Sequence, residues 1–248
     1  MIARQIVIHE DLSATAHGIA ARLITSIADA LAARGVAHVV LTGGSLGIAA
    51  LAAVAENPAR ASVDWSKVHF WWGDERFVAA DSADRNAGQA EVLFEALDAL
   101  GLDRETVHAM GSTDQYDCAE DAAAAYTRLL ADEAPEGAAN PAFDVLMLGM
   151  GPDSHVASLF PNHTRSDELG AIAIHDSPKP PPHRVSLTMG TINSAREVWL
   201  LVAGAEKAPA LAAAQHEVNE ASVPASAVQG TQATRWLVDR AAAAHPRA

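Results

Sequence analysis

Short apolar runs alternate with longer helical patterns along almost the whole chain, and this alternation restricts the fold more than any other feature. Alanine-rich segments of helical periodicity separate the runs, such as residues 12–34, which Asp11 or Ser13 can cap and Gly35 can end. Strands that are apolar on both faces are typical of parallel sheets covered by helices. The clearest runs are HVVLT (38–42), FDVLMLG (143–149), EVWLLV (197–202) and TRWLVD (234–239).

We therefore predict the α/β class, with a Rossmann-like, mostly parallel sheet that carries helices on both faces. The absence of an internal repeat or a Gly/Ser-rich linker favours a single domain over residues 1–248. RQIVIH (4–9) and KVHFWW (67–72) are further strand candidates, and TVHAM (106–110) is compatible with a short one. Four prolines separate two short strands within residues 171–190. Further helices are expected over residues 48–57, 86–100, 116–133 and 206–218.

The composition excludes several classes of protein. The one cysteine, Cys118, excludes an internal disulfide and a thiolate metal cluster, and we expect it at an ordinary helix position. A formal net charge of -14 argues against a nucleic-acid surface, which needs clustered Lys and Arg. Because we find neither a secretory signal nor a long apolar window, we expect a cytoplasmic protein that does not engage a membrane.

Three of the predicted strands end in glycine-rich or charged segments. These segments are GGS (43–45), GDER (73–76) and GMGPDSH (149–155). The carboxyl ends of parallel strands meet at one edge of the sheet, and ligands bind at that edge. The sequence therefore predicts one site, built from three loops.

The first segment, Gly43-Gly44-Ser45, lies between a strand and the start of a helix. Backbone N–H groups there can cradle a phosphate, although the Gly-Lys-Ser/Thr of a P-loop is missing, and a simple tight turn is the alternative. The segment also matches G-x-S-x-G, which would make Ser45 a nucleophile with His155 as its partner. Only one strand precedes it, whereas that elbow normally follows several.

Charged residues at three strand ends are candidate substrate-binding residues, and the cations among them are the candidate phosphate ligands. Asp74 and Arg76 follow an apolar strand, where they either face a cleft or form an internal ion pair. Arg184 follows the proline run and Lys207 opens a predicted helix. The alternative for Arg184 and for Lys207 is a solvated surface charge.

Asp153 and His155 follow the strongest apolar strand and form the candidate catalytic pair. Histidine is the natural general base near neutral pH, and a neighbouring carboxylate can orient it. The alternative is a loop histidine satisfied by the backbone. The segment is a poor zinc site, and GMGPDS lacks the last glycine of G-x-G-x-x-G, so neither a metal nor a nicotinamide cofactor is expected.

Five ordered segments together resemble the glucosamine-6-phosphate isomerase/6-phosphogluconolactonase family. They are LTGGS, WWGDERFVAADSADRN, FDVLMLGMGPDSHVASLFP, SPKPPPHRVSLT and VAGAEKAPAL with PASAV. The lactonases of that family usually have Gly-His-Thr where this chain has Ser154-His155-Val156, and Thr-Pro where it has Leu46-Gly47. The Asp153, His155 and ASLFP positions are kept.

The resemblance implies a sandwich fold like that of sugar-phosphate isomerases, and a hydrolase of the pentose phosphate pathway. The implied reaction converts 6-phospho-D-glucono-1,5-lactone to 6-phospho-D-gluconate without a cofactor, with His155 activating water and Asp153 supporting it. It implies that Gly44, Ser45, Arg76, Arg184 and Lys207 bind the phosphate or line the pocket. The expected partner is thus a small sugar-phosphate lactone, and the oligomeric state stays open between monomer and weak homodimer.

Two other functions fit the same pattern. An aminosugar-phosphate deaminase or isomerase would be expected to carry a further acid shortly after the histidine, and VASLF supplies none. A non-catalytic sugar-phosphate sensor of the kind found in repressors is disfavoured by the acidic charge.

Overall fold

The apolar runs form the strands of two sheets in the computed structural model, which describes residues 3–163, 166–216, 219 and 221–244. The strands are β1 (Ala3–His9), β2 (Ala37–Leu41), β3 (Val68–Trp72), β4 (Asp74–Arg76), β5 (Val145–Gly149), β6 (Ala171–Ile174), β7 (Arg184–Leu187), β8 (Glu197–Val202) and β9 (Ala233–Asp239). The larger sheet has the order β1-β9-β8-β5-β2-β3, and every pairing in it is parallel. The predicted α/β class with a mostly parallel sheet is confirmed.

The helices are α1 (Leu12–Arg34), α2 (Ser45–Glu56), α3 (Asn86–Gln89), α4 (Glu91–Asp98), α5 (Ala119–Asp132), α6 (Met189–Asn193), α7 (Ala208–His216) and α8 (Arg240–Ala243). The five longest helices lie within or close to the spans that periodicity predicted, whereas α6 and α8 were not predicted and the span 86–100 forms two helices instead of one. Asp11 caps α1 by accepting from the N–H of Ala14 at 2.8 Å, and Gly35 ends it in the left-handed conformation with φ 77°. Within the ranges given above, no helix combines the length and apolar character that a bilayer crossing requires.

The core lies between the parallel sheet and its helices. The largest side chains with almost no exposed surface include Phe70, Trp71 and Trp72 of β3, Trp199 of β8, and Trp65 of the 3-10 turn before β3. The α1 helix contributes the stripe Ile19, Leu23 and Ile27, at the spacing that places side chains on one helix face. Burial of these groups supplies the main driving force for folding.

A second, antiparallel sheet in the order β4-β7-β6 was not foreseen. The GDER segment is therefore not a loop, because Asp74, Glu75 and Arg76 pair with Ser186, Val185 and Arg184 of β7. This sheet brings two of the charged segments, around Asp74 and Arg184, to one cleft.

Three smaller expectations were wrong. TVHAM is no strand, since Arg104–Thr106 is a 3-10 turn and Val107 makes one isolated bridge to Phe70. Cys118 is the N-cap residue of α5 rather than a position inside the helix. Lys207 lies in the 3-10 turn Ala205–Lys207 before α7, and residues 217 and 218 of the helix predicted over 206–218 lie outside the described residues.

Candidate active site

A cleft of about 280 Å³ opens at the carboxyl ends of β2 and β5, where the second sheet meets the first. Its wall consists of Thr42, Gly43, Gly44, Asp74, Arg76, Asn86, Gly149, Met150, Gly151, Pro152, His155, Ala157, Lys179, Pro180, Arg184 and Lys207. Seven of the candidate site residues, predicted from five separate segments of the sequence, therefore line one cleft. They are Gly43, Gly44, Asp74, Arg76, His155, Arg184 and Lys207. Asp153 and Ser45 do not line it.

His155 is held in a tight turn that follows β5. The N–H of Gly151 donates to the carbonyl of His155 and the N–H of Ser154 to that of Gly151, both at 3.0 Å. The Nδ1 atom of His155 lies 2.5 Å from Oδ1 of Asp153, and its ring centroid lies 4.6 Å from that of Phe160. The turn thus fixes the imidazole from one side by the carboxylate and from another by an aromatic ring.

The protonation of this pair follows from its geometry. Partial burial opposes ionisation of Asp153, but the hydrogen bond and charge of His155, aided by Lys179, lower the pKa of Asp153 to about 2. An ionised carboxylate only accepts hydrogen bonds, so Nδ1 of His155 carries the proton. In the neutral form of the ring, the lone pair is therefore on Nε2.

Glycine is required at position 151 for this arrangement. A Cβ atom there would lie 2.2 Å from two ring atoms of His155 and 2.3 Å from Oδ1 of Asp153. Ser154 adopts φ 66° in the same turn, a conformation that favours glycine. Its hydroxyl donates to the carbonyl of Asp153 at 2.5 Å, which offsets part of that strain.

The Gly43-Gly44 turn leads from β2 into α2. Gly44 is the N-cap residue with φ 81°, and the first N–H groups of the helix lack intrahelical partners, as at every helix start. A Cβ atom on Gly43 would lie 2.0 Å from Oδ1 of Asn86, so the turn can approach Asn86 only as glycine. Ser45 begins the helix with its side chain exposed and does not line the cleft that contains His155, which does not favour the serine-nucleophile alternative.

Asn86 was missed by the sequence analysis. Its side chain is buried, with Nδ2 donating to the carbonyl of Asp74 at 2.8 Å. Its Oδ1 has no hydrogen-bond partner among the described residues, which is costly for a buried acceptor beside a cleft. Only the tertiary approach of α3 to the glycine turn reveals this residue.

Arg76 and Arg184 occupy directly opposed positions on β4 and β7. Arg184 is buried, and its guanidinium donates to the carbonyl of Lys179 at 2.8 Å and lies 3.8 Å from Oδ2 of Asp74. Burial lowers the pKa of Arg184, although Asp74 opposes that effect. Opposed side chains on neighbouring strands lie on the same face, so both guanidiniums serve one cleft.

Two lysines complete the cationic wall. Lys207 is half-buried, and burial foremost lowers its pKa, against the opposing charge of Glu206. Lys179, which the sequence analysis passed over, lies in the proline run before Arg184 and lines the same cleft. Its position among four prolines could have indicated a site residue, because a rigid segment can hold a charged side chain in place.

Glu75, the middle residue of β4, points away from the cleft and is only 1 % exposed. Its carboxylate accepts from the N–H groups of Arg76 and Asn86 at 2.8 Å and of Ala87 at 2.9 Å, with Arg85 at 3.7 Å. Burial raises the pKa of Glu75, and the three N–H donors and Arg85 oppose that rise. Glu75 therefore joins β4 to α3 beneath the cleft.

A larger groove of about 810 Å³ lies between α5 and β6. Its wall includes the carboxylates of Glu120 and Asp176 and the imidazoles of His163 and His175. Acidic side chains disfavour a phosphate ligand, so the smaller, cationic cleft is the better candidate for an anionic substrate.

The fold and the site together define an α/β protein whose cleft combines a histidine–carboxylate pair with several cations. Residues 10–236 match the family model described as glucosamine-6-phosphate isomerases/6-phosphogluconolactonase. The chain belongs to this family.

Curated relatives and solved structures agree with this assignment. A 6-phosphogluconolactonase of Streptomyces coelicolor is 51% identical over 96% of this chain and 93% of its own. One from Mycobacterium tuberculosis is 46% identical over 90% of both chains. The crystal structure of 6-phosphogluconolactonase from Thermotoga maritima has a TM-score of 0.81 at 29% identity and covers 96% of this chain and 100% of its own. A monomeric glucosamine-6-phosphate deaminase, at 15% identity and TM-score 0.77, shares the fold.

Proposed function

We propose that this chain hydrolyses 6-phospho-D-glucono-1,5-lactone to 6-phospho-D-gluconate, a step of the oxidative pentose phosphate pathway. Its similarity to proteins named 6-phosphogluconolactonase, two of them 51% and 46% identical, supports the reaction class. The observation that carries the assignment is the 2.5 Å contact between His155 and Asp153 at a cleft walled by Arg76, Arg184 and Lys207.

In the proposed reaction, His155 acts as the general base. Its Nε2 accepts a proton from a water molecule as the water oxygen bonds to the lactone carbonyl carbon, which gives a tetrahedral oxyanion. Collapse of this intermediate breaks the bond between the carbonyl carbon and the ring oxygen. The protonated His155 then returns the proton to that oxygen, so that a hydroxyl and a carboxylic acid result. The acid releases its proton to the solvent and becomes the carboxylate.

The remaining residues act by holding charges in place. Asp153 keeps the proton on Nδ1 and stabilises the imidazolium that forms during the reaction. Arg76, Arg184 and Lys207 bind the phosphate, together with the N–H groups at the Gly43-Gly44 turn and the first turn of α2, including that of Ser45. Asp74 orients Arg184, which it approaches to 3.8 Å. A phosphate held in this way fixes the lactone carbonyl relative to the base.

The first test is the His155→Ala variant, assayed by coupling product formation to 6-phosphogluconate dehydrogenase with the spontaneous rate subtracted. Loss of the base should lower kcat about 10²–10⁴-fold, while binding of 6-phosphogluconate persists because the cations are untouched. His175→Ala is the matched control, because this exposed histidine contacts Glu120 at 2.9 Å outside the cleft. A folded His155→Ala enzyme with wild-type kcat would refute the mechanism.

The same preparation distinguishes the two activities of the family. Incubation with glucosamine 6-phosphate should release no ammonia above the buffer blank. Ammonia release at an enzymatic rate, with no lactonase activity, would assign the chain to the deaminase branch instead.

A further inference from the structure

Three histidines cluster at the end of the parallel sheet opposite the cleft. His38 is the second residue of β2 and His69 the second residue of β3, and the two are paired in register. His108 follows the isolated bridge between Val107 and Phe70 and lies beside them. His69 precedes Asp74 of the cleft by five residues, which at about 3.3 Å per extended residue separates them by at most roughly 16 Å.

Donor atoms from two of these histidines converge with a carboxylate. Nδ1 of His69 lies 2.9 Å from Nε2 of His108 and 3.6 Å from Oε2 of Glu133. All three atoms lie within 4.8 Å of one another. Tetrahedral zinc with bonds of about 2.0–2.1 Å requires ligand atoms about 3.3 Å apart, a value between these two distances.

The imidazoles are suited to act as neutral ligands. Two ring nitrogens that face each other across 2.9 Å share at most one proton, so at least one lone pair points into the gap. Metal ions bind histidine in its neutral form.

The surroundings hold these donors in place. The ring of His108 stacks on Trp71 with centroids 4.0 Å apart, and its backbone N–H donates to Phe70 at 2.8 Å. His38 stands beside His69, but its Nδ1 accepts from Nε1 of Trp71 at 3.3 Å, which makes it a neighbour rather than a ligand. Glu133 is the C-cap residue of α5, so the donors come from three separate parts of the chain.

The electrostatic setting favours a cation. The negative charges of Glu133 and Asp103 both favour a positive charge at His69, and the whole chain carries a formal charge of -14. A divalent ion bound there would be attracted locally by Glu133 and at longer range by the rest of the protein.

We propose that His69, His108 and Glu133 form a binding site for one divalent transition-metal ion of the zinc class, separate from the cleft and independent of the proposed lactonase reaction. Three protein ligands leave a fourth position for water. Bound metal would connect β3, the segment after Val107 and the end of α5, and would thereby stabilise the folded chain.

A second histidine cluster provides an internal contrast. His175 contacts His183 through Nδ1 at 3.0 Å and Glu120 through Nε2 at 2.9 Å. Its two nitrogens point to opposite sides of the ring, so these three residues cannot meet at one ion. Glu120, like Glu133 an exposed glutamate beside a histidine, is therefore the matched control position.

The test titrates chelator-treated protein with Zn²⁺ by calorimetry, and with Co²⁺ by visible absorption, which reports tetrahedral coordination. Wild type should bind one equivalent, and Glu133→Gln should bind at least about 10-fold more weakly because a charged ligand is lost. Glu120→Gln and His155→Ala should bind as wild type does. Zn²⁺ should raise the Tm of wild type and of Glu120→Gln, and raise that of Glu133→Gln much less.

Because His108 is buried, replacing it can unfold the chain, so His69→Gln, at a half-buried position, serves as the second ligand variant. Circular dichroism without metal checks that each variant is folded. Absence of Zn²⁺ binding by wild type, or wild-type affinity in both folded variants, would overturn the proposal. Failure of the lactonase assay would leave this result unaffected, since the two sites share no residue.

Discussion

At the scale of single residues, the carboxylate of Asp153 decides which nitrogen of His155 carries a proton. The 2.5 Å contact and the low pKa of Asp153 place the proton on Nδ1 and leave Nε2 basic. The sequence shows only that Asp153 and His155 are two residues apart, and this spacing determines neither the contact between their side chains nor the tautomer of the ring. Only the structure shows the tight turn at Gly151 that brings the side chains of Asp153 and His155 into contact.

The Asp153→Asn variant tests this role. An amide can donate to Nδ1 and so stabilise the unreactive tautomer, and it cannot stabilise the imidazolium, so kcat should fall about 100-fold or more. The KM should change little because the cationic wall is intact. Steady-state kinetics measures both, with the exposed Asp176→Asn as control; an unchanged kcat would rule out the orienting role.

Lys207 supports a pH-dependent prediction. Its pKa is lowered from 10.5, mainly by burial, so its positive charge is lost at a lower pH than that of an ordinary lysine. Affinity for 6-phosphogluconate should therefore weaken as the pH rises from neutrality, before 10.5 is reached. Calorimetry over this range measures the Kd, and Lys207→Arg, which stays protonated, should flatten the dependence. A pH-independent Kd in wild type would contradict it.

At the scale of elements, periodicity was sufficient for the long helices and the parallel strands, and insufficient for β4. A three-residue strand containing Asp74, Glu75 and Arg76 has no apolar pattern, and its partner β7 lies about a hundred residues further along the chain. Because this pairing joins segments far apart in the sequence, a rule based on neighbouring residues cannot predict it. For the same reason Asn86 was missed, since it acquires its place only when distant segments meet at the cleft.

Glu75 should be critical for the junction of β4 and α3. Glu75→Ala would leave three N–H donors and Arg85 without their buried carboxylate, and should cost about 3–5 kcal/mol of unfolding free energy. Glu75→Gln, which keeps the shape and one acceptor, should lose less. Denaturant unfolding measures both. The control is Glu91→Ala, an exposed partner of Arg104 worth about 0–1 kcal/mol; equal losses in all three variants would refute the argument.

At the scale of the whole molecule, Asp144 connects elements that are far apart in sequence. Its buried carboxylate accepts from Arg34 at the end of α1 at 2.6 Å and from the N–H of His38 in β2 at 2.9 Å. Arg196, just before β8, lies 3.5 Å away. One side chain thus connects the start of three neighbouring strands to the longest helix.

Asp144→Ala should therefore destabilise the entire fold and leave the chemistry intact. Removal of a buried charge that serves two arginines should cost about 3 kcal/mol, or roughly 10 °C in Tm for a chain of this size. Scanning calorimetry measures the shift, and kcat below the transition should equal that of wild type. Asp64→Ala, which breaks an exposed pair with Lys67, should shift Tm by about 1–2 °C at most. A comparable shift in both variants would contradict the prediction.

The opposed positions of Arg76 and Arg184 also limit how this chain can vary. Insertions or deletions in the loops outside β4 and β7 leave the two guanidiniums at the same separation. A one-residue insertion inside either strand would turn one guanidinium to the opposite face and leave the other alone in the cleft. Like charges on opposed positions also repel, so the two arginines do not stabilise the pairing of β4 with β7. Relatives that bind the same anion can therefore differ freely in loop length, whereas the register of these few residues has to stay constant.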